Sequence, residues 1–139
     1  MPELYTGGCL CGKVQYEVRG PLRDVIFCHC TMCQRHLGGV GPHTKTLKEN
    51  LILICDSGLA WYESSTIAKR GFCRECGSSL FWNPANQDSI GILAGSLDDS
   101  AMLKTIGHIF VAEKASYMPV TDEQPQFSGS SHGALPGDF

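Results

Sequence analysis

No stretch of the 139 residues approaches the roughly 18 consecutive apolar residues that mark a membrane-spanning helix, so no membrane partner is predicted. The first residues, Met-Pro-Glu-Leu-Tyr-Thr-Gly-Gly, lack a basic segment followed by an apolar one. That pattern speaks against a secretory signal and makes the cytoplasm the expected location. Basic runs are missing as well. Eleven Lys and Arg are scattered singly against 14 Asp and Glu, for a net charge of −3 and a pI near 5.9. Nucleic-acid binders carry a basic stripe, and its absence disfavours that class of partner. Cysteine is not dense enough for a disulfide scaffold. Eight in 139 is about 6%, below the roughly 8–10% of such scaffolds. In a reducing compartment those eight are expected to be ligands or nucleophiles.

Glycine and proline, by contrast, are plentiful: 16 and 7 residues, which implies many turns between short elements. From Lys13 to Val18 apolar Val14, Tyr16 and Val18 alternate with Lys13, Gln15 and Glu17, the period of a half-buried strand. Further β-prone runs lie at 24–27, 51–54, 60–62, 80–82, 90–93 and 106–112, separated by turn residues. The expected class is therefore mainly β, a single domain with one or two short helices. One helix is predicted over Met32 to Leu37, capped by Thr31 and ended by Gly38. A second turn is expected near Ser96 to Asp99. Residues 1–120 read as the domain, and 121–139 as a loop-like or frayed C-terminal tail.

The cysteines fall into three clusters: Cys9-Leu-Cys11, Cys28-His-Cys30-Thr-Met-Cys33 and Cys73-Arg-Glu-Cys76-Gly77. Thiolates two or three residues apart on a tight turn can grip one tetrahedral ion, and neighbouring glycines free the backbone to make that turn. Cys9 and Cys11 with Cys73 and Cys76 would complete a closed four-sulfur zinc site that staples distant strands. The middle cluster has three cysteines. Read as open, it keeps one position for water or substrate; read as closed, it takes His36, one helical turn after Cys33, as a fourth ligand. His29 alternates away from its cysteine neighbours. Cys55, at the end of the apolar run Leu51-Ile-Leu-Ile, has no partner in sequence and is expected to be a buried free thiol.

Gly7-Gly8-Cys9-Leu-Cys11-Gly12-Lys-Val-Gln-Tyr16, Cys28-His-Cys30-Thr-Met-Cys33-Gln-Arg35 and Phe72-Cys73-Arg-Glu-Cys76-Gly77-Ser together resemble the glutathione-dependent formaldehyde-activating enzyme and centromere protein V family, from about Tyr5 to Tyr117. The run His108-Ile-Phe-Val-Ala-Glu-Lys114-Ala-Ser-Tyr117 also looks like the family's pattern, with Tyr117 where Trp is common, and Gln124-Pro125-Gln126-Phe127 looks like its Pro-Gln-Phe segment. The resemblance implies a zinc-bound, tent-like fold of short antiparallel strands holding two zinc ions. The structural one would sit on Cys9, Cys11, Cys73 and Cys76, the catalytic one on Cys28, Cys30 and Cys33. It also implies a carbon–sulfur lyase activity that joins formaldehyde to glutathione as S-hydroxymethylglutathione.

A zinc with three thiolates can still hold a substrate thiolate or polarise an aldehyde oxygen in its fourth position. Thiol addition to a carbonyl then needs a proton, for which His29, His36 and water are candidates. A thiol peptide needs clamps for its carboxylates, and Arg35 and Arg70, beside the cysteine clusters, are the candidates against a plain surface-charge role. Trp61, Tyr62, Phe81 and Trp82 are either pocket walls or core. The functional readings are a lyase-type enzyme acting on a small thiol and an aldehyde, or a non-catalytic glutathione carrier or interaction module on the same fold. A methionine sulfoxide reductase ranks last, because its nucleophilic cysteine lies late in the chain and no cysteine follows Cys76.

Overall fold

Alternation around Tyr16 produces strand β2 (Gln15–Arg19), with Tyr16 and Val18 buried and Gln15 and Arg19 exposed. The computed structural model describes residues 3–100, 102–135 and 138. In it β2 is the middle of a three-stranded antiparallel sheet, between β1 (Leu4–Gly8) and β5 (Leu51–Cys55). A second sheet contains β3 (Val25–Cys28), β4 (Gly41–Leu47), β6 (Leu59–Tyr62), β7 (Ala68–Cys73), β8 (Ser79–Pro84), β9 (Ser89–Leu93) and β10 (Thr105–Ile109). Its order is β10-β3-β4-β9-β8-β7-β6. The mainly β class is as expected. One pairing departs from the antiparallel expectation: β10 runs parallel to β3 at one edge.

The core lies where the two sheets meet. Tyr16 and Val18 from the small sheet, with Val14 just before β2, pack with Leu80, Phe81, Ile90 and Ile92 from the large one, and Tyr16 meets Phe81 edge-on with ring centroids 5.3 Å apart. Three strands carry no apolar period and were not legible as strands. In β4 the fully buried positions are Thr44 and Thr46, whose hydroxyls donate to the carbonyls of Arg23 and Pro21. In β7 they include Arg70 and Gly71. In β1, Gly7 leaves room for the Tyr16 ring; a Cβ there would collide with that ring and with the Ser96 carbonyl.

One α-helix, α1 (Thr31–Leu37), follows β3. Its cap is Cys30 rather than Thr31: the Cys33 amide donates to the Cys30 sulfur at 3.3 Å. Thr31, the first helical residue, instead donates its amide and hydroxyl to the Glu113 carboxylate at 2.9 and 3.0 Å. Gly38 ends the helix in the left-handed region at φ 83°. The turn expected near Ser96 is a short 3-10 turn at Ala94–Ser96. Residues 121–135 contain no helix or named strand, but they are not frayed. Their backbone bonds β10, through His108 N–H to Pro125 O and Phe127 N–H to His108 O, both at 2.9 Å. Phe127 and Leu135 pack with Ile26 and Ile106, and Asp138 accepts from Arg23 at 3.2 Å and Lys45 at 2.7 Å. This strap covers the outer edge of β10, an edge that would otherwise invite pairing with another chain. Among the described residues no helix is long and apolar enough to cross a membrane.

Candidate metal centres and the adjoining cleft

The turn between β1 and β2 carries Cys9 and Cys11, and the turn after β7 carries Cys76, with Cys73 as the last residue of β7. Folding brings the four sulfurs within 4.8 Å of one another, with Cys9–Cys11 and Cys11–Cys73 both at 3.7 Å. All eight cysteines are free thiols. A separation of 3.7 Å is far beyond a disulfide bond. It fits four sulfurs on a tetrahedral zinc, where bonds of about 2.3 Å set the sulfurs about 3.8 Å apart. The surrounding donors suit thiolates. The Val14 amide donates to Cys9 at 3.2 Å. Bonds from the Ser78 hydroxyl, and then from its amide, hold Cys76 down to about 5.

The second cluster is buried throughout. Cys28 ends β3, Cys30 caps α1 and Cys33 lies one turn in, and the three sulfurs are within 4.8 Å of one another. Leu37, Ile109 and Phe110 pack against them. Crowding sets the protons apart. Bonds donated first by Cys28 and then by Cys33 hold the Cys30 thiol down to about 2, while the same contacts and burial push Cys28 up. Three sulfurs that share protons in this way can all ionise only against a cation, so the donor set fits a divalent metal. His36, the alternative fourth ligand, is not among the groups that converge here.

Arg70 reaches this cluster from β7. Its guanidinium lies 3.7 and 3.8 Å from the Cys33 sulfur, it is 4% exposed, and its Nε is buried with no partner. On the other side Arg70 lines an open cleft of about 540 Å³ with Thr31, Met32, Arg35, His36, Tyr62 and Ser64. The predicted pair Arg35 and Arg70 therefore meets at one cleft, Arg35 exposed on α1 and Arg70 at the floor. Among the described residues the lining contains no carboxylate. Burial, and then Arg70, push His36 below its ordinary value, leaving a neutral imidazole at pH 7. Of the aromatic candidates only Tyr62 lines this cleft: Phe81 is core, and Trp61 stacks on it at 6.1 Å. Cys55 joins neither cluster and is half-buried rather than buried, its thiol 3.4 Å from the Lys13 carbonyl.

His29 points away from the cleft. Its Nε2 is 2.9 Å from His108 Nδ1, and His108 Nε2 is 2.9 and 3.1 Å from the two Asp122 oxygens. Sequence reading missed Asp122, and it placed His108 only within a motif. The bulge between Thr105 and Gly107 puts His108 on the face of Phe27, opposite Ile106 and Ile26, so simple alternation along β10 could not have placed it.

A crystal structure of a Rhodobacter sphaeroides protein superposes with a TM-score of 0.58 over 87% of this chain and 98% of its own, at 22% identity, which establishes likeness of fold. The sequence model of the glutathione-dependent formaldehyde-activating enzymes matches residues 4–113, a span that includes both cysteine clusters and the cleft beside the second, and the chain belongs to that family.

Proposed function

We propose that this protein adds a small thiol, glutathione or a close analogue, to a small aldehyde such as formaldehyde, as a zinc-dependent carbon–sulfur lyase-type enzyme of the S-hydroxymethylglutathione synthase kind. The observation that carries the reading is a buried three-sulfur cluster with no fourth converging ligand among the described residues, joined through Arg70 to a cation-lined cleft. Cys28, Cys30 and Cys33 would hold the zinc, which would supply Lewis-acid chemistry toward a thiol or an aldehyde oxygen. Arg70 donates to Cys33 and offsets the negative charge that three thiolates gather. Arg35, exposed at the rim, is free to take a carboxylate of the thiol peptide. In the reaction the thiol sulfur bonds the carbonyl carbon, the C=O π pair moves to oxygen, and the thiol's proton ends there. His36 is the histidine at the cleft that can pass that proton, since His29 is committed to His108. The second zinc, on Cys9, Cys11, Cys73 and Cys76, is structural.

The test is exchange NMR on zinc-loaded protein with glutathione and formaldehyde. Faster adduct formation than in buffer is expected, and Cys33→Ser should abolish it while the chain stays folded. Arg35→Ala should weaken glutathione binding by roughly 1.5 to 3 kcal/mol, the worth of a charge-assisted bond. Tight glutathione binding with no acceleration would favour a carrier. Equal binding of glutathione and its S-methyl analogue would remove the thiol from the metal.

A further inference from the structure

His29 sits between two cysteines of the open cluster, yet it is used for something other than the cleft. In extended backbone alternate side chains take opposite sides, so Cys28 and Cys30 project one way and His29 the other. All its contacts are fixed. Its amide donates to Ile109 O at 3.0 Å, its carbonyl accepts from Gln34 Nε2 at 2.9 Å, and its ring meets His108 on β10. His29 is 1% exposed and His108 4%, whereas the Asp122 side chain is 45% exposed. The chain of contacts therefore runs from the surface strap to the metal-site loop.

The chemistry of the three groups orders it. A carboxylate only accepts, so His108 carries its proton on Nε2, facing Asp122. In the neutral ring His108 Nδ1 is then an acceptor, and the proton between the two histidines belongs to His29 Nε2. Partners that hydrogen-bond a metal ligand commonly hold metal sites in shape. Here the orientation passes through the residue that separates two ligands.

We infer that Asp122 and His108 are positioning residues for the Cys28-Cys30-Cys33 cluster: Asp122 sets the tautomer of His108, His108 holds His29, and His29 fixes the two sulfurs on either side of it. This rests on the proposed metal-loaded site, but its test requires neither thiol nor aldehyde. The C-terminal strap then belongs to the reactive centre, although it lies beyond the span matched by the family model.

The experiment uses the zinc-loaded full chain and Asp122→Ala, chosen because Asp122 is half-exposed and its truncation opens no core cavity. Zinc release to a chelator should occur in two phases, one per cluster. The substitution should speed the faster phase about tenfold, the lower end of what loss of such a partner costs, and leave the slower phase alone. Ring 15N spectra should show His29 and His108 each as the single Nε2–H tautomer in the parent and as mixtures in the variant. Asp122→Glu should restore both readouts. As a control, Phe127→Ala removes side-chain packing against Ile26, Ile106 and Leu135 from the same strap and keeps the backbone bond from residue 127 to the His108 carbonyl. Unchanged release, acceleration of both phases together, or an equal selective effect from Phe127→Ala overturns the inference. Loss of lyase activity in the parent protein would overturn the proposed reaction and leave these readouts intact.

Discussion

At the residue scale, charge is the controlling quantity. Apart from the cysteines, the groups around the cleft are arranged to be cationic or neutral. His43 on β4, which does not line the cleft, shows how the same cations act on a histidine. Burial pushes its imidazole down to about 4, with Arg70 and Arg23 adding repulsion, against one favourable bond to the Gly41 carbonyl. A histidine whose folded value lies below its unfolded value of about 6.5 binds protons more readily when unfolded. Its contribution is therefore intact above pH 6.5 and is lost as pH falls toward 4. For a shift of this size the loss is on the order of 3 kcal/mol. Loss of any bound metal in acid would also destabilise the fold, but it would affect parent and variant alike. The difference in unfolding free energy between the parent and His43→Gln should therefore shift in the variant's favour between pH 7 and pH 4.5. Denaturant titrations at several pH values measure it, and a constant difference would show that the buried imidazole is not the titrating group.

At the element scale, the short helix shows what sequence can and cannot reveal. Its length, its Gly38 stop and its place after the cysteine run were legible because local propensities decide them. Its cap was not, because a thiol accepting a backbone amide is outside the usual capping set. The same division holds for the strands. β2, β5 and β9 follow from apolar runs or alternation, while β4 and β7 bury threonine, arginine and glycine whose partners lie far away in sequence. The four-plus-three division of cysteines was legible from spacing. The Asp122–His108–His29 chain was not, since 79 residues separate the two histidines. Gly38 gives a clean test of the helix stop. A Cβ there meets nothing within 4 Å, so only its φ of 83° opposes a side chain. Gly38→Ala should cost about 1 kcal/mol and Gly38→Asn less, since asparagine tolerates the left-handed region. Thermal unfolding of the metal-loaded proteins would show the ranking, and equal costs would mean that steric contact rather than backbone conformation is responsible.

At the scale of the whole molecule, the two clusters occupy different mechanical positions. Cys9 and Cys11 lie on the turn that joins two strands of the small sheet, Cys73 ends β7 of the large one and Cys76 follows on its turn, so an ion there would tie the sheets together across 62 residues of chain. Cys73 is fully buried within the core cluster that joins them. Cys28, Cys30 and Cys33 instead span six residues at one end of a single strand and a seven-residue helix, a region already held by Glu113, Gln34 and the β10 strap. Free energy of metal binding becomes folding free energy only where the ligands are brought together by folding. Cys73→Ser should therefore unfold the domain or leave it a broad, low-temperature transition, whereas Cys33→Ser should keep a cooperative transition close to the parent's. Metal analysis should give two zinc ions per chain for the parent and one for Cys33→Ser. Calorimetry beside zinc analysis on the same samples decides it. Equal destabilisation by the two substitutions would make the three-cysteine cluster a structural element of the fold and remove the basis for treating it as the reactive centre.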